Sequence, residues 1–303
     1  MNKPFKSGVA ALAGRPNVGK SSLVNRLLDF RLSVVTPKPQ TTRDAILGLY
    51  NDEDCQIVFV DTPGVHEPEH RLGERLVDRA LEALDEADVI LYVVTIDDRP
   101  FWSENRTIIG RLKETKTPVI LCVNKVDLPG SREKILPVIS LFQKELDIRD
   151  AIPVSARDGT HRELLLQTVK SYLPEGVPLY PDDQVTDRPE RFLAAEIIRG
   201  KAMEMTEEEV PHSLAVEIDE YKSPDEYPDR TDLLIRATVY VERPGQRAIL
   251  LGTGGRMIRA VGSAARKELE RLTGHKVFLD LWVKVSQDWR DSERELRRLG
   301  YGE

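Results

Sequence analysis

Apolar residues in the first half of the chain gather in short, nearly continuous runs. They are VAALAG (residues 9–14), CQIVFVD (55–61), DVILYVV (88–94), PVILCVN (118–124) and AIPVS (151–155). Between them apolar positions recur at helical spacing, near 20–29, 72–86, 103–115, 131–146 and 160–172. Strands that are apolar throughout are covered on both faces, and strands that alternate with helices form a parallel sheet. The pattern predicts an α/β domain with a mostly parallel sheet and helices on both faces. Ligands of such sheets bind at the carboxyl ends of the strands.

The second half reads differently. From Pro174 to Pro189 the periodicity stops, and PEGVPLYPDDQVTDRP holds four prolines, as expected of a linker. A helix is predicted over RFLAAEIIRGKAMEM, then an alternating strand over SLAVEIDEY. A charged, proline-containing connection (222–232) leads to a second strand, LIRATVYVE, and a short third one, RAILLG. Helices are expected through 273. The last strand, KVFLDLWVKVS, puts Val277, Leu279, Leu281, Val283 and Val285 on one face. The predicted organisation is an α/β domain over 1–173, a linker over 174–189 and a small α+β domain over 190–303.

Composition agrees with two domains, since 303 residues at about 150 per domain give two. The chain is 40% hydrophobic and 31% charged, with a net charge of −7. That total gives no global reason to expect a nucleic-acid partner, but the charge is unevenly spread. Lys and Arg number 5 against 12 Asp and Glu over 190–230, and 14 against 10 over 231–303. A locally basic end follows an acidic stretch, and such asymmetry matters more to partners than the sum. The acidic stretch could face the first domain, deter non-specific RNA binding, or be a solvated face. The only cysteines, Cys55 and Cys122, lie inside apolar runs and are expected to be buried thiols. They offer no disulfide framework, which suits a reducing cytosol. The apolar run at the start is too short for a signal peptide, and no stretch approaches the length of a membrane span.

GRPNVGKS fits G-x-x-x-x-G-K-[ST] at Gly14, Gly19, Lys20 and Ser21, directly after a predicted strand and opening a helix. Backbone N–H groups of the loop and the helix start, among Gly14, Asn17, Val18, Gly19, Ser21 and Ser22, would cradle phosphates. Lys20 would reach the β- and γ-phosphates, and Ser21 would hold Mg²⁺. DTPG (Asp61–Gly64) ends the next predicted strand. Asp61 can hold Mg²⁺, directly or through water, and the Gly64 N–H can meet the γ-phosphate. NKVD (Asn124–Asp127) ends a later one. The Asp127 carboxylate can accept hydrogen bonds from guanine N1–H and the 2-amino group. Adenine would leave it badly paired, a penalty that discriminates strongly. Lys125 can lie along the base and Asn124 can brace the loop. SAR (Ser155–Arg157) ends another strand, and Ala156 could offer its N–H to guanine O6.

These motifs, in this order, make the first half resemble a translation-factor-class GTPase. PQTTR (Pro39–Arg43) resembles the first switch segment of its Era-like branch. One of Thr41 and Thr42, Thr42 by preference, would then close on Mg²⁺, and Pro63 and Val65 would belong to the second switch. Phosphoryl transfer depends on positioning and charge neutralisation. Ras-like enzymes orient the attacking water with a glutamine where this chain has Val65, so basal GTP hydrolysis should be slow. The resemblance associates Asn17 with a potassium ion; shaping the loop is its alternative role. His66 reads as a mobile switch residue rather than a base.

LLGTGGRMIRAVG (250–262) poses a separate problem, a second glycine-rich loop. It lacks G-K-[ST] and has no acidic metal ligand close behind. Gly252, Thr253, Gly254 and Gly255, followed by a helix with Arg256 and Arg259, resemble the G-x-x-G loop of a KH module. Such a loop clamps the backbone of single-stranded nucleotides. Ile258 and Val261 could line the groove where bases lie. With GRPNVGKSSLVN, PQTTR, DTPGVH, NKVD and ERPGQRAILLGTGGRMIRAVGSAAR, the chain resembles the Era family of ribosome-associated GTPases over nearly its whole length. The resemblance implies a type II KH fold for the second half, GTP and GDP with Mg²⁺ as ligands, and K⁺ as a further candidate. It implies binding to small-subunit ribosomal RNA near its 3′ end and a role in 30S assembly. It also implies a cytoplasmic monomer, with peripheral association at the inner face of the cell membrane as a further expectation. Thr253 departs from the lysine that family members often carry in this loop. The competing reading is a GTPase that acts through a protein or membrane partner, its C-terminal half a docking module.

Overall fold

The structure, a computed structural model, describes residues 4–226 and 231–301. Part of the predicted 222–232 connection therefore lies outside the described residues. The chain forms two compact units. The first comprises Met1–Ser33, Thr42–Glu69 and Gly73–Asp187, and the second Val34–Thr41, His70–Leu72 and Arg188–Glu303.

Six strands build the sheet of the first unit: β1 (Lys6–Ala13), β2 (Ile46–Asp52), β3 (Cys55–Asp61), β4 (Val89–Thr95), β5 (Val119–Asn124) and β6 (Ile148–Pro153). Their order is β2-β3-β1-β4-β5-β6, parallel except for β2, which runs antiparallel to β3. Helices α1 (Lys20–Leu28), α2 (Arg71–Asp85), α3 (Ser103–Glu114), α4 (Arg132–Gln143) and α5 (Arg162–Tyr172) connect or flank the strands. Every residue of β3, β4 and β5 is buried, as the continuous apolar runs predict. Tyr92 shows how a polar atom is accommodated there. Its ring meets Phe142 edge-on at 5.5 Å, and its hydroxyl donates to Asn105 Oδ1 at 3.0 Å. Cys55 and Cys122 are buried thiols, and burial pushes both pKa values up to about 12. The hairpin strand β2 was not among the predicted strands.

The proline-rich stretch after α5 is held against the edge of this sheet. Leu49 N donates to Val185 O at 2.9 Å. The wholly buried Gln56 accepts from Leu179 N and Tyr180 N, at 2.6 and 2.9 Å, and donates to Tyr180 O at 2.9 Å. A side-chain amide thus satisfies the backbone of Leu179 and Tyr180.

In the second unit β7 (Ala215–Lys222), β8 (Leu233–Val241) and β9 (Val277–Val285) form a sheet in that order, β7 antiparallel and β9 parallel to β8. Helices α6 (Glu190–Glu204), α7 (Pro244–Leu251) and α8 (Arg256–Thr273) pack against it, and α9 (Glu293–Arg298) follows. Ile198, Leu214, Ile235, Val239, Leu250, Val261 and Leu269 form its core together with Val34. In the same unit Arg199 is almost fully buried, pairs with Glu196 and donates to the Thr41 carbonyl at 2.5 Å. Several acidic residues here are paired: Glu204 with Lys201, Glu220 with Arg236, Glu217 with Arg298.

RAILLG is helical rather than a strand. Pro244 sits in the first turn of α7, where its missing N–H costs nothing. Gln246 Oε1 accepts from Glu242 N and Arg243 N, both at 3.0 Å, and Leu250 turns into the core. On β9, Val277 and Val283 are buried and Leu279 and Leu281 partly so, but Val285 is exposed. Phe278 and Trp282, on the opposite face, are 47% and 60% exposed. Among the described residues no helix is long and apolar enough to cross a membrane.

Gln56→Leu should cost about 2–3 kcal/mol, because it strands two backbone donors and a carbonyl while keeping the volume. Urea unfolding should show a lower midpoint, and limited proteolysis should cut sooner within 176–186.

Candidate functional site

The carboxyl ends of β1, β3 and β5 carry the motifs. β1 runs into the loop Gly14–Gly19, and α1 starts at Lys20. Gly19 has φ +98°, and a Cβ there would lie 2.4 Å from Asn124 Nδ2, so no other residue fits. Lys20 is 6% exposed, and its ammonium donates to the carbonyls of Gly14 (2.9 Å) and Arg15 (3.3 Å). Its pKa is lowered to about 8, chiefly by burial, which Asp61 opposes and the Arg15 charge reinforces.

Ser21 Oγ and Thr42 Oγ1 are 2.8 Å apart. Asp61 is fully buried at the end of β3, and neither carboxylate oxygen has a hydrogen-bond partner. Burial raises its pKa. The hydroxyls of Ser21, Ser33 and Thr42 oppose that shift without satisfying hydrogen-bond geometry. An orphaned buried carboxylate beside two hydroxyls is a hard-oxygen donor set, and it fits Mg²⁺. Ser33 had no sequence signal; the fold alone brings it here. Thr41 is elsewhere: its hydroxyl bonds Thr36 Oγ1 at 2.7 Å and Lys38 O at 2.8 Å within the second unit.

After Asp61 the chain passes through buried Pro63, and Gly64 lies against Pro16 of the loop. Val65 is 2% exposed, and its N–H donates to Gly14 O at 3.3 Å. His66 Nδ1 lies 3.0 Å from Gly64 O.

The base-side residues converge on Asn124. Its Nδ2 donates to Val18 O at 2.8 Å, and its Oδ1 accepts from Ala156 N at 3.0 Å. Ser155 Oγ donates to Asp127 Oδ1 at 2.8 Å, which leaves Asp127 Oδ2 facing Arg157 at 3.6 Å. Lys125, in the left-handed region at φ +65°, donates to Asn17 O at 2.7 Å. Burial lowers its pKa, and the Arg15 charge adds to the effect. Asn17 is also left-handed, at φ +61°. The structure thus joins Asn17, Val18, Gly19, Lys20, Ser21, Thr42, Asp61, Gly64, Asn124, Lys125, Asp127, Ser155 and Ala156 into one site. Ser22 occupies the first turn of α1.

The second glycine loop joins α7 to α8. Gly252, Gly254 and Gly255 have φ of +67°, +60° and +76°, a path that glycine takes without strain. Thr253, Gly254, Arg256 and Arg259 are exposed. Arg259 Nη2 donates to Gly254 O at 2.6 Å, and Arg256 Nε to Thr253 O at 3.3 Å. The loop therefore presents an exposed backbone, two guanidinium groups and a helix N-terminus. Ile258 is half-buried beside it, but Val261 is wholly buried in the core and is not available to line a groove.

Over 297 residues, 98% of this chain and 99% of the relative, the sequence is 42% identical to GTPase Era of Alkaliphilus metalliredigens (strain QYMF). The chain belongs to the Era family of GTPases. Residues 9–125 match the model of a 50S ribosome-binding GTPase family, and residues 209–290 match that of the KH domain. The helix–strand–strand–helix–helix–strand order of α6–β9 is thus that of an Era KH module. One solved Era structure, in complex with MgGDPNP and nucleotides 1506–1542 of 16S ribosomal RNA, superposes with a TM-score of 0.93 at 41% identity. It covers 99% of this chain and 100% of its own. A variant of Aquifex aeolicus Era bound to GDP and AlF4⁻ gives 0.93 at 40% identity, with the same coverage.

With a pKa of about 8 in the free protein, Lys20 is mostly neutral at about pH 8.5. A bound polyphosphate favours the charged form, so nucleotide binding should draw in a proton there, and the uptake should fade toward about pH 7. Titration calorimetry of metal-free GDP binding, in buffers of different ionisation enthalpy, measures this.

Proposed function

We propose that this protein is a GTP-hydrolysing switch that grips small-subunit ribosomal RNA near its 3′ end and assists 30S assembly. The observation that carries the reading is the presence of both devices on one chain: a guanine-nucleotide site whose loops meet at Asn124, and an exposed glycine loop on a basic helix start. Similarity along the full length to an Era solved with MgGDPNP and a 16S ribosomal RNA segment supports it. The GTPase domain would span 1–173, the connector 174–189 and the KH domain 190–303.

In this reading the loop N–H groups from Asn17 to Ser22 and the Lys20 ammonium take the phosphates. Gly64 N–H meets the γ-phosphate. Ser21, Thr42 and Asp61 would hold Mg²⁺, which neutralises phosphate charge. Asp127 reads guanine, with Lys125 along the ring, and the Ala156 N–H would turn from Asn124 Oδ1 to guanine O6. By resemblance Asn17 would serve a potassium ion, with shaping the loop as its alternative role. Val65 is apolar and packed inward, so no side chain there orients water, and intrinsic turnover is slow. The Gly252–Gly255 loop with Arg256, Ile258 and Arg259 holds the RNA backbone and its bases. The work is cytoplasmic, with any membrane association peripheral.

A second reading has Phe278 and Trp282 in its favour. Two exposed aromatics on one face of β9 would suit a protein partner docked on the C-terminal half.

Fluorescence titration of a single-stranded RNA from the 3′ end of small-subunit ribosomal RNA separates the two. Contact with about three phosphates should weaken binding about 10- to 20-fold between roughly 50 and 200 mM salt. Gly254→Asp, which puts a carboxylate where a phosphate passes, should abolish it. Tighter binding with a non-hydrolysable GTP analogue than with GDP would couple the two loops. Absence of RNA binding would promote the docking-module reading. Independently, Asp127→Asn should weaken GDP by about 100-fold or more and favour xanthine nucleotides, whose 2-oxo group accepts a hydrogen bond. Competition binding with XDP and GDP tests it.

A further inference from the structure

Asp98 lies three residues beyond β4, in no recognised motif, and its side chain is wholly buried. A buried carboxylate is tolerated only when paired and hydrogen-bonded. Its Oδ2 accepts from Thr95 N at 2.6 Å and from Thr95 Oγ1 at 3.0 Å. Asn105 Nδ2 lies 3.5 Å from Oδ1, and Asn105 is itself held by the Tyr92 hydroxyl (3.0 Å) and the Arg99 carbonyl (2.9 Å). The remaining partner is Arg15, the second residue of the phosphate loop, whose Nε donates to Oδ1. The guanidinium also lies over the Trp102 ring, 5.2 Å from its centre.

We propose that the Asp98–Arg15 pair positions Lys20 for GTP hydrolysis. The carboxylate is fixed on the sheet side, so it fixes the backbone at Arg15. The ammonium of Lys20 is held there by two carbonyls, those of Gly14 and Arg15. Its place is therefore only as definite as theirs. Arg15 points at Asp98 and acts through the loop; it is a positioning residue, as is Asp98. A charge-assisted bond suits this task because it is directional; an apolar contact would stabilise the loop without setting its register. The inference rests on the reading that Lys20 meets the β- and γ-phosphates.

The test compares Asp98→Asn, Arg15→Met and the double variant in single-turnover GTP hydrolysis, GDP binding and urea unfolding. In Asp98→Asn the new amide oxygen would still accept from Thr95. The double variant removes both charges together and leaves no buried charge unpaired, so it should lose less stability than the two single changes summed. We expect saturating turnover to fall about 10-fold in each single variant and to stay low in the double, with GDP affinity within about threefold throughout. Arg15→Lys should recover part of the turnover. The proposal is overturned if turnover returns with stability in the double variant, or if the folded variants hydrolyse GTP normally. Equal losses in GDP affinity and turnover also overturn it, since the pair would then merely hold the loop shut. Should Asp98→Asn fail to fold, Arg15→Met alone decides, because Arg15 is a quarter exposed. Lys20→Ala runs alongside: if it binds GTP and turns over normally, the Lys20 reading itself fails, whatever the pair does.

Discussion

One side-chain amide ties the nucleotide site together. Asn124 gives its Nδ2 proton to the phosphate loop at Val18 and takes the Ala156 proton at Oδ1. The residue ends β5, a strand buried along its whole length, so the amide is delivered from a rigid element. Close approach follows from that bridge. Gly19 can carry no side chain because Asn124 already fills the space. Lys125, next in the chain, is turned into the left-handed region and reaches back to Asn17. The phosphate loop and the loops after β5 and β6 are thus tied to one another by hydrogen bonds, and such pre-ordering lowers the ordering cost of binding.

Much of this is legible in the sequence because both strands and motifs follow local rules. Runs such as VILYVV have apolar residues at every position, and only a doubly covered strand needs that. The motifs fall at or just beyond the carboxyl ends of parallel strands, where ligands of such sheets bind. What escapes sequence reading is set by tertiary context. Strand β2 is an edge strand, buried on one side, and its mixed composition hides it. RAILLG carries the β-favouring Ile and an apolar run too short to show a period. Pro244 at a first turn and the Gln246 cap decide for helix. Val261 has the same apolar character as Ile258 but stands three positions on, and α8 carries it into the core. Asp98 and Ser33 belong to no pattern, since their partners Arg15 and Asp61 lie 83 and 28 residues away.

The two glycine loops solve related problems with different electrostatics. The first buries its lysine and an unpartnered carboxylate, a costly arrangement in the absence of ligand, and suits a compact, highly charged group that replaces the missing partners. The second keeps its arginines at the surface, bonded only to its own carbonyls, where water screens them. A buried site favours selectivity for one ligand; an open one favours a chain that passes through.

The two thiols have a use beyond packing. Cys55 on β3 and Cys122 on β5 are wholly buried, with pKa values raised to about 12. Only the thiolate is an effective nucleophile, so alkylating reagents find almost none in the closed sheet. Modification must wait for the strand to open, and the two labelling rates become separate clocks, one on β3 beside the edge strand β2 and one on β5 beside the opposite edge strand β6. The protein carries a built-in gauge of how far ligand binding tightens each half of its nucleotide domain.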